Sequence, residues 1–270
     1  MSEAWARGIS KEWYHCVPVA VGVMRVREAS AGYRLGKWLS VDAGVVPTLT
    51  IPELDGSFNL RAVAASPLEA AGLSAPADLG ATARFHFPEG YGFVAVGAYN
   101  GEGYTNRELN RGKNIEGAFE VHPFAGSAGG RPFALFVSYV SGSAGTGSAR
   151  ANRLTTALLW QGKRVRAGAD FVYAWGVGEN GLLGSYVVDA FVRVEPIDRL
   201  IFGARGFSWL RDTADAANRV TEVTGAAGYR IADPLEAFLA LSRTLTGATA
   251  ATALPGLDHW DLRVIGRVVF

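Results

Sequence analysis

The sequence predicts an all-β protein, an antiparallel transmembrane β-barrel with about twelve visible strands, alone or as part of a larger barrel of roughly 14–18 strands. Three observations predict it. Amphipathic runs repeat along the chain after Gly80, short and long connections alternate between them, and the last run ends on an aromatic residue. Together these features are typical of a sheet that separates lipid from water.

The runs are as long as membrane-spanning strands, roughly 8–13 residues each. They lie at 81–87, 93–99, 115–122, 132–140, 151–160, 165–175, 184–194, 199–209, 220–231, 237–245 and 259–270. Short connections at 88–92, 161–164, 195–198 and 232–236 alternate with longer ones at 100–114, 141–150, 176–183, 211–219 and 246–257. This alternation predicts tight turns at one end of a barrel and loops at the other.

The carboxyl-terminal run is apolar on one face and mostly charged on the other, because side chains alternate along a strand. Its apolar face reads Trp260, Leu262, Val264, Gly266, Val268 and Phe270. The other face contains Asp261, Arg263 and Arg267. A terminal strand ending in Phe resembles the assembly signal of bacterial outer-membrane barrels. The resemblance assigns that role to Trp260, Leu262, Val264, Val268 and Phe270, with the barrel-assembly machinery as partner.

The pattern before Gly80 is less regular. We expect one strand at 33–45, followed by a long loop at 47–79 that is rich in Pro, Ala and Leu. The loop falls on the long-loop side of the barrel. The favoured interpretation is an ordered outer loop, and the alternative is a segment that folds inward and narrows a pore.

Residues 1–32 form an uncertain amino-terminal segment ahead of the barrel at 33–270. Val17, Val19, Val21 and Val23 alternate as a lipid-facing row would, which favours an extra strand at 13–27. That strand would raise the count to thirteen, whereas bacterial barrels usually have even numbers. The other interpretations are a degenerate signal peptide and the remnant of a longer amino terminus.

Composition excludes several classes. The chain has 270 residues, is 19% charged and carries a formal charge of +1, so no basic excess indicates nucleic acid. Cys16 is the single cysteine, which excludes an intramolecular disulfide framework and a cysteine-rich zinc site. The sequence contains no uninterrupted apolar run of about 18 residues, so it predicts no transmembrane helix.

The polar faces of the runs are expected to line a lumen, where arginines outnumber carboxylates and predict a mild anion preference. Pairs across neighbouring strands would cancel part of that field. Arg243 shares a face with Leu239 and Leu241 and stays unassigned. The predicted pore-lining residues are Arg84, Glu116, Glu120, Arg153, Arg166, Asp170, Asp189, Arg193, Arg205, Glu222, Arg230, Asp261, Arg263 and Arg267. Aromatic residues at strand ends, among them Tyr99, Tyr139, Trp160, Trp209 and Tyr229, predict interfacial girdles.

The motifs of enzymes and metal sites are missing from the sequence. The histidines His15, His86, His122 and His259 are scattered singly, and neither a Gly-x-Ser-x-Gly nor a His-Glu-x-x-His motif occurs. We therefore expect no enzyme, no cofactor and no metal.

Residues 78–124 carry a more specific pattern. An Asp78-Leu79-Gly80 strand opening leads into a hairpin, then Asn100-Gly101-Glu102 and a loop rich in Asn, Arg and Lys. This stretch resembles the outer-membrane porins of the phosphate-selective porin O and P type. The resemblance implies a bacterial outer-membrane barrel, and the few lysines of this chain give no reason to extend it to phosphate selectivity.

The function predicted is that of a porin-like channel for passive diffusion of small hydrophilic solutes. The alternative is a structural or anchoring barrel with a plugged lumen that binds a partner protein, and a third class is a soluble lipid- or carbohydrate-binding β protein. The expected partners are outer-membrane lipid, the assembly machinery and small solutes, with a homo-oligomer also considered and nucleic acid excluded.

Overall fold

Among the residues that the structure describes, thirteen antiparallel strands form one sheet, in which each strand pairs with its neighbours in chain order. The structure, a computed structural model, describes residues 28–101, 103–104, 112–126, 132–144, 149–177 and 183–268. The sheet strands are β1 (Ala29–Leu35), β2 (Leu39–Pro47), β3 (Ala77–His86), β4 (Gly92–Tyr99), β5 (Asn114–Val121), β6 (Phe133–Ser141), β9 (Asn152–Gln161), β10 (Val165–Val177), β11 (Leu183–Ile197), β12 (Leu200–Leu210), β13 (Arg219–Ala232), β14 (Leu235–Thr246) and β15 (His259–Val268). A small separate hairpin, β7 (Ser143–Ala144) with β8 (Ala149–Arg150), precedes β9.

The prediction of an all-β antiparallel barrel is confirmed, and each run predicted after Gly80 is a strand of the sheet. In the described ranges the helices are short: α1 (Thr50–Phe58), α2 (Pro67–Ala70), α3 (Ala248–Ala253) and a 3-10 turn at Pro88–Gly90. No helix in the described part of the chain is both long and apolar enough to cross a membrane.

The prediction of a single strand at 33–45 is wrong. The chain forms a hairpin there, with β1 paired to β2 from Leu35 opposite Leu39 to Ala29 opposite Val45. Gly36 opens the turn with φ of +65°, a left-handed conformation that glycine adopts without strain. The hairpin raises the count from twelve strands to thirteen.

The two faces of the sheet differ in chemistry. In the β10–β11 pair, Asp170 lies opposite Asp189 on the inner face, and Phe171 lies opposite Val188 on the outer face. Asp189 is 1% exposed, whereas Val188 is 48% exposed. The same alternation continues through β14 and β15, where Leu239 lies opposite Val264 on the outer face. A barrel wall needs such an apolar outer face.

Most of the predicted girdle aromatics lie on the outer face, including Tyr139, Trp160 and Tyr229. The prediction is wrong for Tyr99 and Trp209. Tyr99 is 4% exposed, and the indole N–H of Trp209 donates to the hydroxyl of Ser185, so both rings point inward.

Within the described ranges, β1 and β15 are the two end strands of the sheet and do not pair with each other. The expected extra strand at 13–27 falls outside the described residues. Of the segment 1–32, the part from Ala29 onward belongs to β1.

Candidate functional site

The interior of the barrel holds a segment of the chain itself. Residues 48–76, here named the inward segment, leave β2, form α1 and α2, and return to β3. The favoured interpretation of an ordered outer loop is therefore wrong, and the inward alternative describes the structure. Ile51, Leu54 and Phe58 recur at helical spacing and are fully buried. Their apolar face requires a partner, and the barrel wall supplies it.

A wall carboxylate holds the beginning of α1. Glu116 of β5 accepts the backbone N–H of Leu49 at 2.9 Å and that of Thr50 at 3.0 Å. The Thr50 hydroxyl contacts both Glu116 Oε1 and Ser138 Oγ at 2.5 Å. The first N–H groups of a helix lack internal partners and favour negative charge. Glu116 therefore caps α1 from a strand of the barrel wall.

Arginines hold the end of α1. Arg166 donates to the Gly56 carbonyl at 2.9 Å, and Arg267 donates to the Asn59 carbonyl at 2.7 Å. Asn59 ends the helix in the left-handed conformation. Because last-turn carbonyls also lack internal partners, both ends of α1 are bonded to the wall.

A buried ion pair of the barrel wall contacts α1 at Asp55. Arg205 Nη2 donates to Asp189 Oδ2 at 2.8 Å, and Arg205 Nη1 lies 3.6 Å from Asp55 Oδ1. Burial raises the pKa of Asp55, against the opposing effect of Arg61 and Arg205. Asp170, opposite Asp189, is 3% exposed, and neither of its carboxylate oxygens has a hydrogen-bond partner.

One side of the lumen is apolar. The inward segment packs against an apolar wall formed by β9 to β12, and the missing side chain of Gly203 makes room for Leu60. The side chains that β9 to β12 contribute to this core are Ala157, Leu159, Val172, Ala174, Val187, Phe191, Ile201 and Phe207, and the core continues with Phe93, Ala95, Ala118, Ala134 and Phe136 of β4 to β6 and with Phe238 and Ala240 of β14.

The opposite side is polar. On β2 and β3 the inner face presents Ser40, Asp42, Thr82 and Arg84, all half-buried. Register places Ser40 opposite Arg84 and Asp42 opposite Thr82. We name these four residues the polar wall. Polar side chains on an inner face are what a water-filled lumen requires.

Two polar cavities open at the two ends of this side. The turn-end cavity, about 640 Å³, is lined by residues of the tight-turn end, including Arg34, Lys37, His86, Glu120 and His122. The loop-end cavity, about 440 Å³, lies among the long loops. Its charged lining side chains are Glu69, Asp78, Glu116 and Arg153. Both cavities reach inner-face residues of the same strands.

Every side chain predicted to line the pore lies on the inner face of the sheet, and their role in an open pore stays a prediction. Several are joined in ion pairs: Arg193 with Glu195, Arg230 with Glu236 at 3.2 Å, Arg263 with Asp261 at 2.8 Å and Arg267 with Glu236 at 3.3 Å. Arg153 donates instead to the Leu73 carbonyl at 3.0 Å. Arg243, left unassigned, lies on the outer face and pairs with Asp258 at 2.5 Å.

Sequence reasoning missed the carboxylates of the inward segment, Glu53, Asp55 and Glu69. Glu53 lies 3.5 Å from Arg84 of the polar wall, and Arg61 pairs with Asp55 and Glu69. The spacing of Ile51, Leu54 and Phe58 was the available signal, since it predicts a one-sided helix.

The residues predicted as an assembly signal are displayed outward where they are described. Trp260, Leu262, Val264 and Val268 are exposed on the outer face of β15, while Phe270 lies outside the described residues. Among the described residues, no cluster of His, Cys, Asp and Glu side chains could hold a metal ion.

Comparison with known proteins identifies the class through the fold. The chain is an outer-membrane-type β-barrel with a segment of its own folded into the lumen. The structure is similar to a Salmonella typhi OmpF in complex with daunomycin, with a TM-score of 0.68 and 11% identity over 89% of this chain and 77% of that one. It is also similar to the outer-membrane-expressed OmpT of Vibrio cholerae, with a TM-score of 0.61 and 13% identity over 83% of this chain and 71% of that one.

At these identities the likeness defines the fold, which is that of an outer-membrane porin. No protein-family model matches the chain. No curated protein matches it either.

Proposed function

We propose that the protein is an outer-membrane channel through which small hydrophilic solutes diffuse passively beside the inward segment. The observation that carries the proposal is the asymmetry of the lumen: α1 packs on the apolar wall of β9 to β12 and leaves the polar wall of β2 and β3 half-exposed. Water fills polar cavities and avoids apolar ones, so the polar wall is the side along which solutes would move.

The mechanism needs no covalent chemistry. The outer face meets lipid, hydrogen bonds between neighbouring strands satisfy the backbone inside the sheet, and the polar lining sets the size and charge of what passes. We propose that the protein is not an enzyme and that its location is the bacterial outer membrane. The outward row of β15 would be presented to the assembly machinery and then to lipid.

The proposed ion selectivity is a mild anion preference. Ion pairs such as Arg230 with Glu236 and Arg263 with Asp261 cancel most of the lumen field. Arg153 and Arg166 bond to backbone carbonyls instead of carboxylates, so their charges are not cancelled in that way. A kinship with the phosphate-selective porin O and P type remains a proposal that rests on residues 78–124.

Swelling of liposomes that contain the refolded chain tests solute passage. We expect entry of small neutral sugars, and slower entry for Thr82→Trp, which places a large ring on the polar wall. The matched control is Ala83→Trp on the outer face of the same strand, which should swell like the wild type. Equal rates for the two variants would show that solutes do not pass along the polar wall.

A plugged structural barrel that anchors or binds a partner is the second candidate. The observation that favours it is the fully buried apolar face of α1, with Ile51, Leu54 and Phe58 at 0% exposure. A dry plug of this kind would block flow. A folded protein that gives no swelling, and that begins to swell only when residues 48–76 are replaced by a short linker, would establish this candidate and remove the first.

A further inference from the structure

Four ionisable side chains meet beside the turn-end cavity, which two of them, Glu120 and His122, line. Arg84 Nη1 lies 3.5 Å from Glu53 Oε2, and His122 Nε2 lies 3.0 Å from Glu120 Oε1. Glu53 and Glu120 interact with each other, which joins the two pairs into a row from β3 through α1 to the end of β5. Glu53 is the member contributed by the inward segment.

One atom of this row lacks a hydrogen-bond donor when both carboxylates are ionised. Glu120 is 5% exposed, and its Oε2 is buried without a hydrogen-bond donor. Buried acceptors are normally paired, and an ionised carboxylate cannot donate. A proton on the neighbouring Glu53 carboxyl allows Glu53 to donate a hydrogen bond to Glu120. The geometry therefore favours a protonated Glu53 between Arg84 and Glu120.

The energetics of the row agree with its geometry. Burial, followed by the like charge of Glu120, raises the pKa of Glu53 to about 7, against the opposing effect of Arg84. Two carboxylates that share one site cannot both ionise without cost. Glu53 therefore changes charge close to neutral pH, where ordinary glutamates are fully ionised.

The surrounding charges determine what that change does. The turn-end cavity faces Arg34 and Lys37 from the β1–β2 turn and His86 from β3, in addition to Glu120 and His122. With Glu53 neutral, the fixed positive charges Arg34, Lys37 and Arg84 outnumber Glu120. Ionisation of Glu53 adds a negative charge beside Arg84 and lowers the positive electrostatic potential near the turn-end cavity.

We propose that Glu53 is the selectivity-determining group of the channel and that its proton sets the anion preference. Anions are preferred when Glu53 is neutral, and the preference declines when Glu53 ionises. This inference rests on the proposed channel function and adds the residue and the proton that control it.

Reversal potentials under a KCl gradient test the inference. For the wild type, the ratio of anion to cation permeability should fall on the order of threefold between pH 6 and pH 8. Glu53→Gln should keep the high ratio throughout. Glu69→Gln, a change on the same segment at the loop-end cavity, and His86→Asn, which removes another titrating group of the turn-end cavity, should both retain the step near pH 7.

The outcomes separate the two proposals. Ion current without a step near pH 7, or a step that persists in Glu53→Gln, overturns this inference and leaves the channel function standing. A folded barrel that carries no current removes the channel function, and this inference with it. As an independent readout, infrared difference spectra between pH 6 and pH 8 should show a protonated carboxyl band in the wild type that is missing from Glu53→Gln. The same band in both proteins would contradict the assignment.

Discussion

The carboxylate of Glu116 accepts the backbone N–H of Thr50 at 3.0 Å and so joins the barrel wall to the first turn of the helix inside it. The two residues are 66 positions apart in the chain. Glu116 is 2% exposed, so the contact is shielded from water. A wall strand and the inward segment therefore stabilise each other at this point.

Replacing Glu116 with Ala is expected to destabilise the protein by about 2 kcal/mol, because the N–H groups of Leu49 and Thr50 would remain buried without acceptors. Urea unfolding in detergent micelles measures the loss. Trypsin should also cleave faster after Arg61 in the variant. Asp261→Ala removes a partly exposed inner-face carboxylate and is the control; a loss of similar size there would argue against a specific cap.

Removing the charge of Arg205 should be more damaging. Arg205→Met leaves Asp189 buried without its cation and removes one of the two cations beside Asp55, and breaking one side of a buried pair costs about 3–5 kcal/mol. Asp189→Asn combined with Arg205→Met should cost less than the sum of the single changes, since Asp189 is then no longer an unpaired charge. Simple additivity in this double-mutant cycle would mean that Asp189 and Arg205 do not stabilise each other across the β11–β12 pair.

On the outer face, the cost of an arginine substitution should depend on its depth in the membrane. Leu241 lies near the middle of β14 and Leu245 near its loop end, both on the outer face. Leu241→Arg should destabilise folding into lipid vesicles by about 2–4 kcal/mol, whereas Leu245→Arg should cost about 0–1 kcal/mol. Equal costs would contradict the assignment of this face to lipid.

Stability should depend on pH through Glu53. Its pKa is raised from 4.5 to about 7 by burial and by Glu120. A carboxyl with a raised folded-state pKa contributes stability that is complete below pH 4.5 and is lost as pH rises towards 7. At pH 8 we expect Glu53→Gln to be more stable than the wild type by an amount on the order of 3 kcal/mol, and at pH 4 to be equal to it. Unfolding midpoints at the two pH values measure this, and a difference independent of pH would contradict it.

The strands after Gly80 could be predicted because alternation is a local signal, repeated in every run. The β1–β2 hairpin could not, because the turn at Gly36 is short and apolar residues continue across it, from Tyr33 and Leu35 to Leu39 and Val41. Alternation alone does not distinguish a long strand from a tight hairpin. The error changed the count of strands without changing the fold class.

For the residues of the site, the sequence could predict only the face of the sheet on which each side chain lies. Alternation places Asp189 and Arg205 on one side of the sheet, and register then brings them together. The position of the inward segment depends on partners far away in the chain, such as Arg267 and Asn59, 208 residues apart. Contacts between residues so far apart in sequence produce no periodic sequence pattern. The choice between an outer loop and an inward segment therefore required the structure.

Single-channel recording from the refolded chain in a planar bilayer tests the central claim, that the polar wall leaves a path beside the inward segment. We expect stable open steps, with a small reversal potential of the sign expected for anion preference at pH 6. Silence from a folded, heat-modifiable barrel would contradict it and would establish the inward segment as a plug.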